Sequence, residues 1–147
     1  MIQRIQTVFL FFAAVFAGIL FFAPIASFNV GNEIVKFSVF GVKNHTNALI
    51  LLILAILMVI VPLITIFMYK KRELQLKLSS LNVLLNAILC GLVFLFYVDK
   101  VQTCLSAESV TYAFGTYIPL INIVLSILAM RWIKKDIELI KSVDRLR

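Results

Sequence analysis

Charged residues are scarce in this chain. They make up 14% of its 147 residues, whereas hydrophobic residues make up 63%. A soluble domain carries about 25% charged and roughly 45–50% apolar residues. This composition excludes an ordinary soluble domain, and its high apolar content also excludes a disordered chain. It is typical of a small integral membrane protein.

Long stretches of the sequence lack charge entirely. Four apolar runs cover about residues 5–26, 48–69, 78–98 and 112–133, and none contains an acidic or basic residue before Arg131. A helix of about 20 residues spans the roughly 30 Å hydrocarbon core of a bilayer. The first run exceeds the apolar core of a signal peptide, about 7–15 residues, which favours a retained helix. We predict an all-α membrane protein, one domain over residues 1–147 with four antiparallel transmembrane helices.

Residues that carry chemistry are also few. The absence of ionisable residues inside the runs argues against a proton-coupled transporter, a pump or a voltage sensor. One histidine, His45, and two cysteines, Cys90 and Cys104, are too few for a histidine-based metal site or a disulfide framework. The sequence offers no convincing acid–base or nucleophile pair. We therefore expect no enzymatic activity, no metal and no cofactor.

The positive charge has an uneven distribution. With both termini in the cytoplasm, 11 of the 14 basic and 4 of the 7 acidic residues lie inside, so the inner charge is +7 and the outer charge is zero. This distribution obeys the positive-inside rule. It predicts cytoplasmic N and C termini and explains the excess charge without nucleic acid. Anionic lipid headgroups are expected partners of the inner face.

Two segments outside the apolar runs show a pattern. Val35, Phe37 and Val39 recur with a period of two after the turn-like pair Gly31 and Asn32, which predicts a small extracytoplasmic β-hairpin-like cap between the first two helices. Near the C terminus, Ile133, Ile137 and Ile140 recur at helical spacing. The fourth helix is therefore predicted to extend into the cytoplasm as an amphipathic tail over residues 131–147.

Polar and small residues within the runs are spaced to share helix faces. Asn82 and Asn86 lie on one face of the third helix, and Asn122 and Ser126 lie on one face of the fourth. Interhelical hydrogen bonding is favoured over a polar lining for a solute path. Small residues also recur four apart, at 14 and 18 and at 87 and 91. They suit close helix packing, either within this chain or against a partner's helix.

Three stretches carry a family resemblance: MIQRIQT at residues 1–7, YKKRELQLKL at residues 69–78 and IKKDIELIKSVDRLR at residues 133–147. They resemble an uncharacterised family of four-helix inner-membrane proteins from Bacteroidota-type bacteria, a domain of unknown function. The resemblance implies a bacterial inner membrane and four spans. It implies no activity, so no catalytic residue is carried over.

Charged residues in these stretches gather at the predicted inner interface. Arg4 or Arg72 is expected to pair with Asp136 or Asp144, because arginine and carboxylate groups can form bidentate ion pairs. The alternative is that this face, including Arg145, binds another subunit.

Small size, the lack of intramembrane charge and the ordered charged tail favour a non-catalytic accessory or scaffold subunit. Its partners would be other membrane-protein subunits of a complex for protein export, envelope biogenesis or a similar process. The alternative is a transporter or channel for a small or lipidic solute, using the asparagine faces. A membrane enzyme is the least favoured reading.

Overall fold

The computed structural model describes residues 2–31, 33–42, 46–69, 71–107 and 109–145, and for residues 2–4, 46–47, 141 and 143–145 it describes the backbone alone. Most of this part is helical. The helices are α1 (Ile2–Ile19), α2 (Leu49–Phe67), α3 (Arg72–Leu92), α4 (Val98–Leu105) and α5 (Ile118–Arg145). A π-helical turn, Val93–Tyr97, joins α3 and α4 into one continuous helix, so the chain has four long helices in its described part.

Three helical stretches are long and apolar enough to cross a membrane. They are Leu49–Phe67, Arg72–Leu105 and Phe114–Ile140, and a shorter apolar helix covers Ile5–Ile19. The prediction of a mainly helical chain with membrane-spanning character is thus confirmed. The amphipathic segment after Arg131 is part of α5, as the isoleucine spacing indicated.

The first helix does not extend to residue 26 as expected. It ends at Ile19, and the amide of Ala23 bonds back to the Ile19 carbonyl at 3.0 Å. Pro24 lacks an amide hydrogen and disfavours helical geometry in the residue before it. The remaining apolar residues enter a β-strand at Ala26. A short apolar run is compatible with a buried strand as well as a helix, so composition alone missed this boundary.

The third and fourth helices also differ from their predicted bounds. The third begins at Arg72 rather than 78 and runs through the π-helical turn to Leu105 rather than 98. Residues 72–77 are strong helix formers whose charge hid the helix from a search for apolar runs. The fourth begins at Ile118 rather than 112, because residues 109–112 form a strand.

A small sheet lies across one end of the helices. Strands β1 (Ala26–Val30) and β2 (Glu33–Phe37) form the expected antiparallel hairpin, and Gly31 adopts the positive φ of 59° that its turn requires. Strand β5 (Ser109–Tyr112) pairs with the other side of β1, which gives the order β2-β1-β5. A second, two-stranded sheet joins β3 (Gly41–Val42) and β4 (Thr46–Asn47).

Close contacts hold the sheet against the helices. The ring of Phe37 stacks on Tyr97 with centroids 6.0 Å apart and meets Phe28 edge-on at 6.4 Å. The Gly115 amide donates to the Pro24 carbonyl at 2.9 Å, and a Cβ on Gly115 would lie 2.5 Å from that oxygen. Only glycine fits there, so the start of α5 is fixed beneath the sheet.

Each long helix packs against two others. Helix α1 packs on α2 and α5, and α3 packs on α2 and α5. The Gln6 side chain of α1 donates to the Trp132 carbonyl of α5 at 3.0 Å, whereas Pro24 contacts Gly115 at the opposite end. These two contacts show that α1 and α5 run antiparallel.

Candidate functional site

A row of buried polar side chains follows one face of α3. Gln75, Ser79, Asn82 and Asn86 recur at i, i+4, i+7 and i+11, and none is more than 3% exposed. Helical geometry aligns these positions. The buried polar residues Asn122, Ser126 and Asp136 lie on α5, which packs against α3. We call this set, together with Arg72, the polar seam.

An ion pair closes one end of the seam. The guanidinium of Arg72 lies 2.9 Å from Oδ2 of Asp136 and also donates to the Asp136 carbonyl at 3.4 Å. Their side chains are only 22% and 11% exposed, so the pair is mostly withdrawn from water. Of the four pairings considered from sequence, the structure brings this one together. The side chains of Arg4, Asp144 and Arg145 lie outside the described part.

The middle of the seam holds a direct bond between helices. The Asn82 amide donates to the Ser126 hydroxyl at 2.8 Å. The Asn86 amide donates to the Asn82 backbone carbonyl at 2.7 Å, and the Ser79 hydroxyl donates to the Gln75 carbonyl at 2.9 Å. The last two bonds lie within α3. Asn82 and Ser126 therefore tie α3 to α5 and set their relative register.

Beyond this bond the seam contains unpaired amide atoms. Asn86 and Asn122 are both fully buried. Among the described residues, Oδ1 of Asn86 and both amide atoms of Asn122 find no hydrogen-bond partner. Buried polar groups are normally paired, because leaving one unpaired costs roughly 1–3 kcal/mol. These two asparagines are the least satisfied part of the described interior.

A small cleft follows the asparagines toward the sheet. It is shallow, with no enclosed space for a water-sized sphere, and its mainly apolar lining is Ile25, Leu89, Cys90, Val93, Phe94, Gly115, Thr116 and Pro119. The Thr116 hydroxyl is already bonded to the Ile25 carbonyl. The π-helical turn that begins at Val93 borders the cleft, and such turns are frequent at functional sites.

Four polar residues of this interior were not predicted from the sequence to be buried. Gln6, Gln75, Ser79 and Thr116 are all buried and polar. Gln75 and Ser79 continue the spacing of Asn82 and Asn86, so extending the third helix back to Arg72 would have revealed them. Gln6 and Thr116 bond to residues more than 90 positions away, and no local pattern signals such contacts.

The alanines of the small-residue pairs in α1 and α3 differ in burial, whereas the glycines do not. Ala14 is buried among the helices, whereas Ala87 is exposed. Gly18 and Gly91 are both half-buried, and no heavy atom lies within 4 Å of a Cβ built on either. We call Ala87 and Gly91 the small-residue face. It lies on an outer side of α3, flanked by Leu84 and Ile88, which are 55% and 42% exposed.

Metal-ligand residues do not gather in the described ranges. These ranges contain no group of three His, Cys, Asp or Glu residues that could hold an ion. Cys90 and Cys104 are free thiols, and His45 lies outside the described residues. The buried chemistry of the described part is therefore that of amides, hydroxyls and one ion pair.

Comparison with protein families identifies a match over nearly the whole chain. The model of a family described as a domain of unknown function (DUF4293) matches residues 2–146. No curated protein and no solved structure matches the chain.

Proposed function

The chain belongs to the DUF4293 family, a domain of unknown function, and from this premise we propose that it is a multi-pass protein of a bacterial inner membrane, of Bacteroidota type. Its role is that of a non-catalytic accessory or scaffold subunit in a larger membrane complex, such as one for protein export or envelope biogenesis. Its partners are other membrane-protein subunits and anionic headgroups rather than nucleic acid.

The proposed topology has four spans and cytoplasmic termini. Helix α1, with 18 residues, is about 27 Å long and can serve as the remaining span. The Arg72–Asp136 pair lies at the same end of the helices as the start of α1 and the end of α5, opposite the sheet. Positive-inside placement of Arg72 and the basic residues of α5 makes this end cytoplasmic and the sheet extracytoplasmic.

The inner end also suits contact with headgroups. Arg131, Lys134 and Lys135 of α5 are exposed there, and the Lys135 ammonium lies 5.4 Å from the ring centre of Trp132. Tryptophan prefers the membrane–water interface, and basic residues at that depth attract anionic lipids. This arrangement supports an interfacial position for the segment.

The small-residue face is the observation that carries the subunit proposal. Pairs of small residues four apart let a second helix approach closely, and close approach drives helix association in lipid. This chain uses its buried alanines of α1 internally but leaves Ala87 and Gly91 open. An open face of this kind on a folded chain fits a helix from another subunit.

The test is a bulky substitution that the chain itself can accept. Gly91→Leu fills open space, and Gly18→Leu is its matched control because a Cβ at Gly18 also has no neighbour within 4 Å. Tagged chains are cross-linked in native membranes, purified in mild detergent and analysed by mass spectrometry and native gels. We expect wild type and Gly18→Leu to retain the same stoichiometric partners and Gly91→Leu to lose them. A lone wild-type monomer, or an unchanged complex from Gly91→Leu, would contradict the proposal.

A small-solute path along the asparagines is the second candidate. The unpaired amide atoms of Asn86 and Asn122 favour it, since a passing solute could use them. Full burial and the Asn82–Ser126 bond count against it. The variant Asn122→Cys, made in a chain with both native cysteines replaced by alanine, distinguishes the solute path from the subunit proposal. A transport path predicts rapid reaction with a membrane-impermeant thiol reagent, and the subunit proposal predicts none.

A further inference from the structure

Two contacts along the interface of α3 and α5, one on each side of Asn86, place Asn86 opposite Asn122. On one side, Asn82 of α3 bonds to Ser126 of α5. On the other side, Leu89 and Pro119 line the same cleft. The helices are antiparallel, so moving one turn up α3 from Asn82 corresponds to moving one turn back along α5 from Ser126. Positions 86 and 122 therefore share one level of the interface.

The unpaired atoms at this level are two acceptors and one donor group. The acceptors are Oδ1 of Asn86 and Oδ1 of Asn122, and the donor is Nδ2 of Asn122. The Asn86 amide nitrogen already donates to the backbone carbonyl of Asn82 at 2.7 Å and faces its side-chain oxygen at 3.4 Å. A direct bond from Asn122 to Asn86 would therefore leave Oδ1 of Asn122 without a donor.

We propose that Asn86 and Asn122 form a buried hydration site that binds one water molecule between α3 and α5. A water molecule donates two hydrogen bonds and accepts others, so it can satisfy both amide oxygens and the Asn122 amide together. A metal cation would need several further oxygen ligands and would bring an uncompensated charge into a membrane-spanning interior. Water is the small ligand that matches the donor and acceptor count.

The cleft lies beside this site, and neither asparagine is part of its lining. Cys90 lies one turn beyond Asn86 on α3, and Pro119 lies one turn before Asn122 on α5; both line the cleft. The small-residue face is formed by other positions of α3. Hydration at the asparagines therefore does not depend on the proposed subunit role, and separate variants test the two.

X-ray hydroxyl-radical footprinting of the full chain in lipid nanodiscs tests the site. Radicals formed from a bound water attack adjacent side chains before they escape. Leu89, only 1% exposed, is the reporter, and the fully buried Met58 of α2 is the control for general radical penetration. We expect dose-dependent oxidation of Leu89 in wild type and no oxidation of Met58, although methionine is the more reactive residue.

The variant Asn122→Leu, which keeps the number and branching of the side-chain heavy atoms but removes both amide atoms, should abolish the labelling of Leu89. The hydration site is overturned if Leu89 stays unlabelled in wild type, if its labelling persists in folded Asn122→Leu, or if Met58 is oxidised to the same extent. Should Asn122→Leu fail to fold, the ratio of Leu89 to Met58 labelling in wild type decides alone.

Discussion

The helix pair α1 and α2 and the helix pair α3 and α5 are held together by different kinds of interaction. Helices α1 and α2 share an apolar core to which Ala17, Leu51, Ala55 and Met58 contribute, all fully buried. Helices α3 and α5 meet along the polar seam, with an ion pair at one end and asparagines toward the other. Apolar contact depends on how side-chain volumes fill the interface, whereas a hydrogen bond or an ion pair requires two particular groups to meet. The two pairs should therefore respond to opposite kinds of substitution.

The largest effect is expected at the ion pair of the seam. Arg72→Ala leaves the buried Asp136 carboxylate uncompensated, and we expect a loss of about 3 kcal/mol in unfolding free energy. Asp136→Ala should cost less, because the more exposed Arg72 side chain can reach water. Denaturant unfolding in detergent micelles measures both.

The double variant Arg72→Met with Asp136→Met is the decisive comparison. It should recover most of the loss, since an apolar pair needs no compensating charge. Glu138→Ala, at an exposed position on α5, is the control and should change little. A double variant as unstable as Arg72→Ala alone would show that the pair has no such role.

A change of side-chain volume should act most strongly on the apolar helix pair, α1 and α2. Ala55→Leu adds bulk to a fully buried site on α2, and overpacking of this kind costs about 1–3 kcal/mol. Ala87→Leu makes the same change on the exposed side of α3 and should leave the stability of the isolated chain near the wild-type value. Thermal unfolding in one detergent compares them, and equal losses would mean that α2 is not closely packed.

The smallest effect is expected from one bond of the seam. Ser126→Ala removes the acceptor of the Asn82 amide and should cost about 1 kcal/mol. Thr65→Val is the matched control in the apolar helix pair, α1 and α2. The Thr65 hydroxyl bonds to the Val61 carbonyl of its own helix at 2.7 Å, so this bond does not connect two helices.

Unfolding of Ser126→Ala, Asn82→Ala and the double variant should give a measurable coupling energy. If the losses of unfolding free energy at positions 82 and 126 are additive, the polar seam does not differ from the apolar helix pair α1 and α2 in this respect.

Local patterns anticipated much of the fold because they report local physics. Apolar runs located the helices, and alternation after Gly31 located β2. The same reasoning aligned Asn82 with Asn86 and Asn122 with Ser126, since spacing in a helix decides which residues share a face. It could not choose among the arginine and aspartate pairings, nor say whether the small residues face inward or outward.

The predicted helix boundaries were wrong where contacts with distant residues decide where a helix or strand ends. Strand β5 forms because β1 offers it an edge, with Ala26 opposite Tyr112, and its sequence shows no clear alternation. The end of α1 depends on Pro24 and on the start of α5, where Gly115 occupies a position that admits no side chain. Propensity at one position cannot report on a partner about 90 residues away.

The sequence by itself determined that this chain carries helices of membrane-spanning character, a hairpin and polar faces, because hydrophobicity and periodicity depend only on neighbouring residues. The tertiary structure alone decided which polar faces meet and that Arg72 lies against Asp136. It also left Oδ1 of Asn86 and both amide atoms of Asn122 buried without a protein partner in the described part. It also decided that the small residues of α3 face outward. Each of these outcomes depends on the rotation and register of one helix against another, and many residues far apart in the chain set that geometry together.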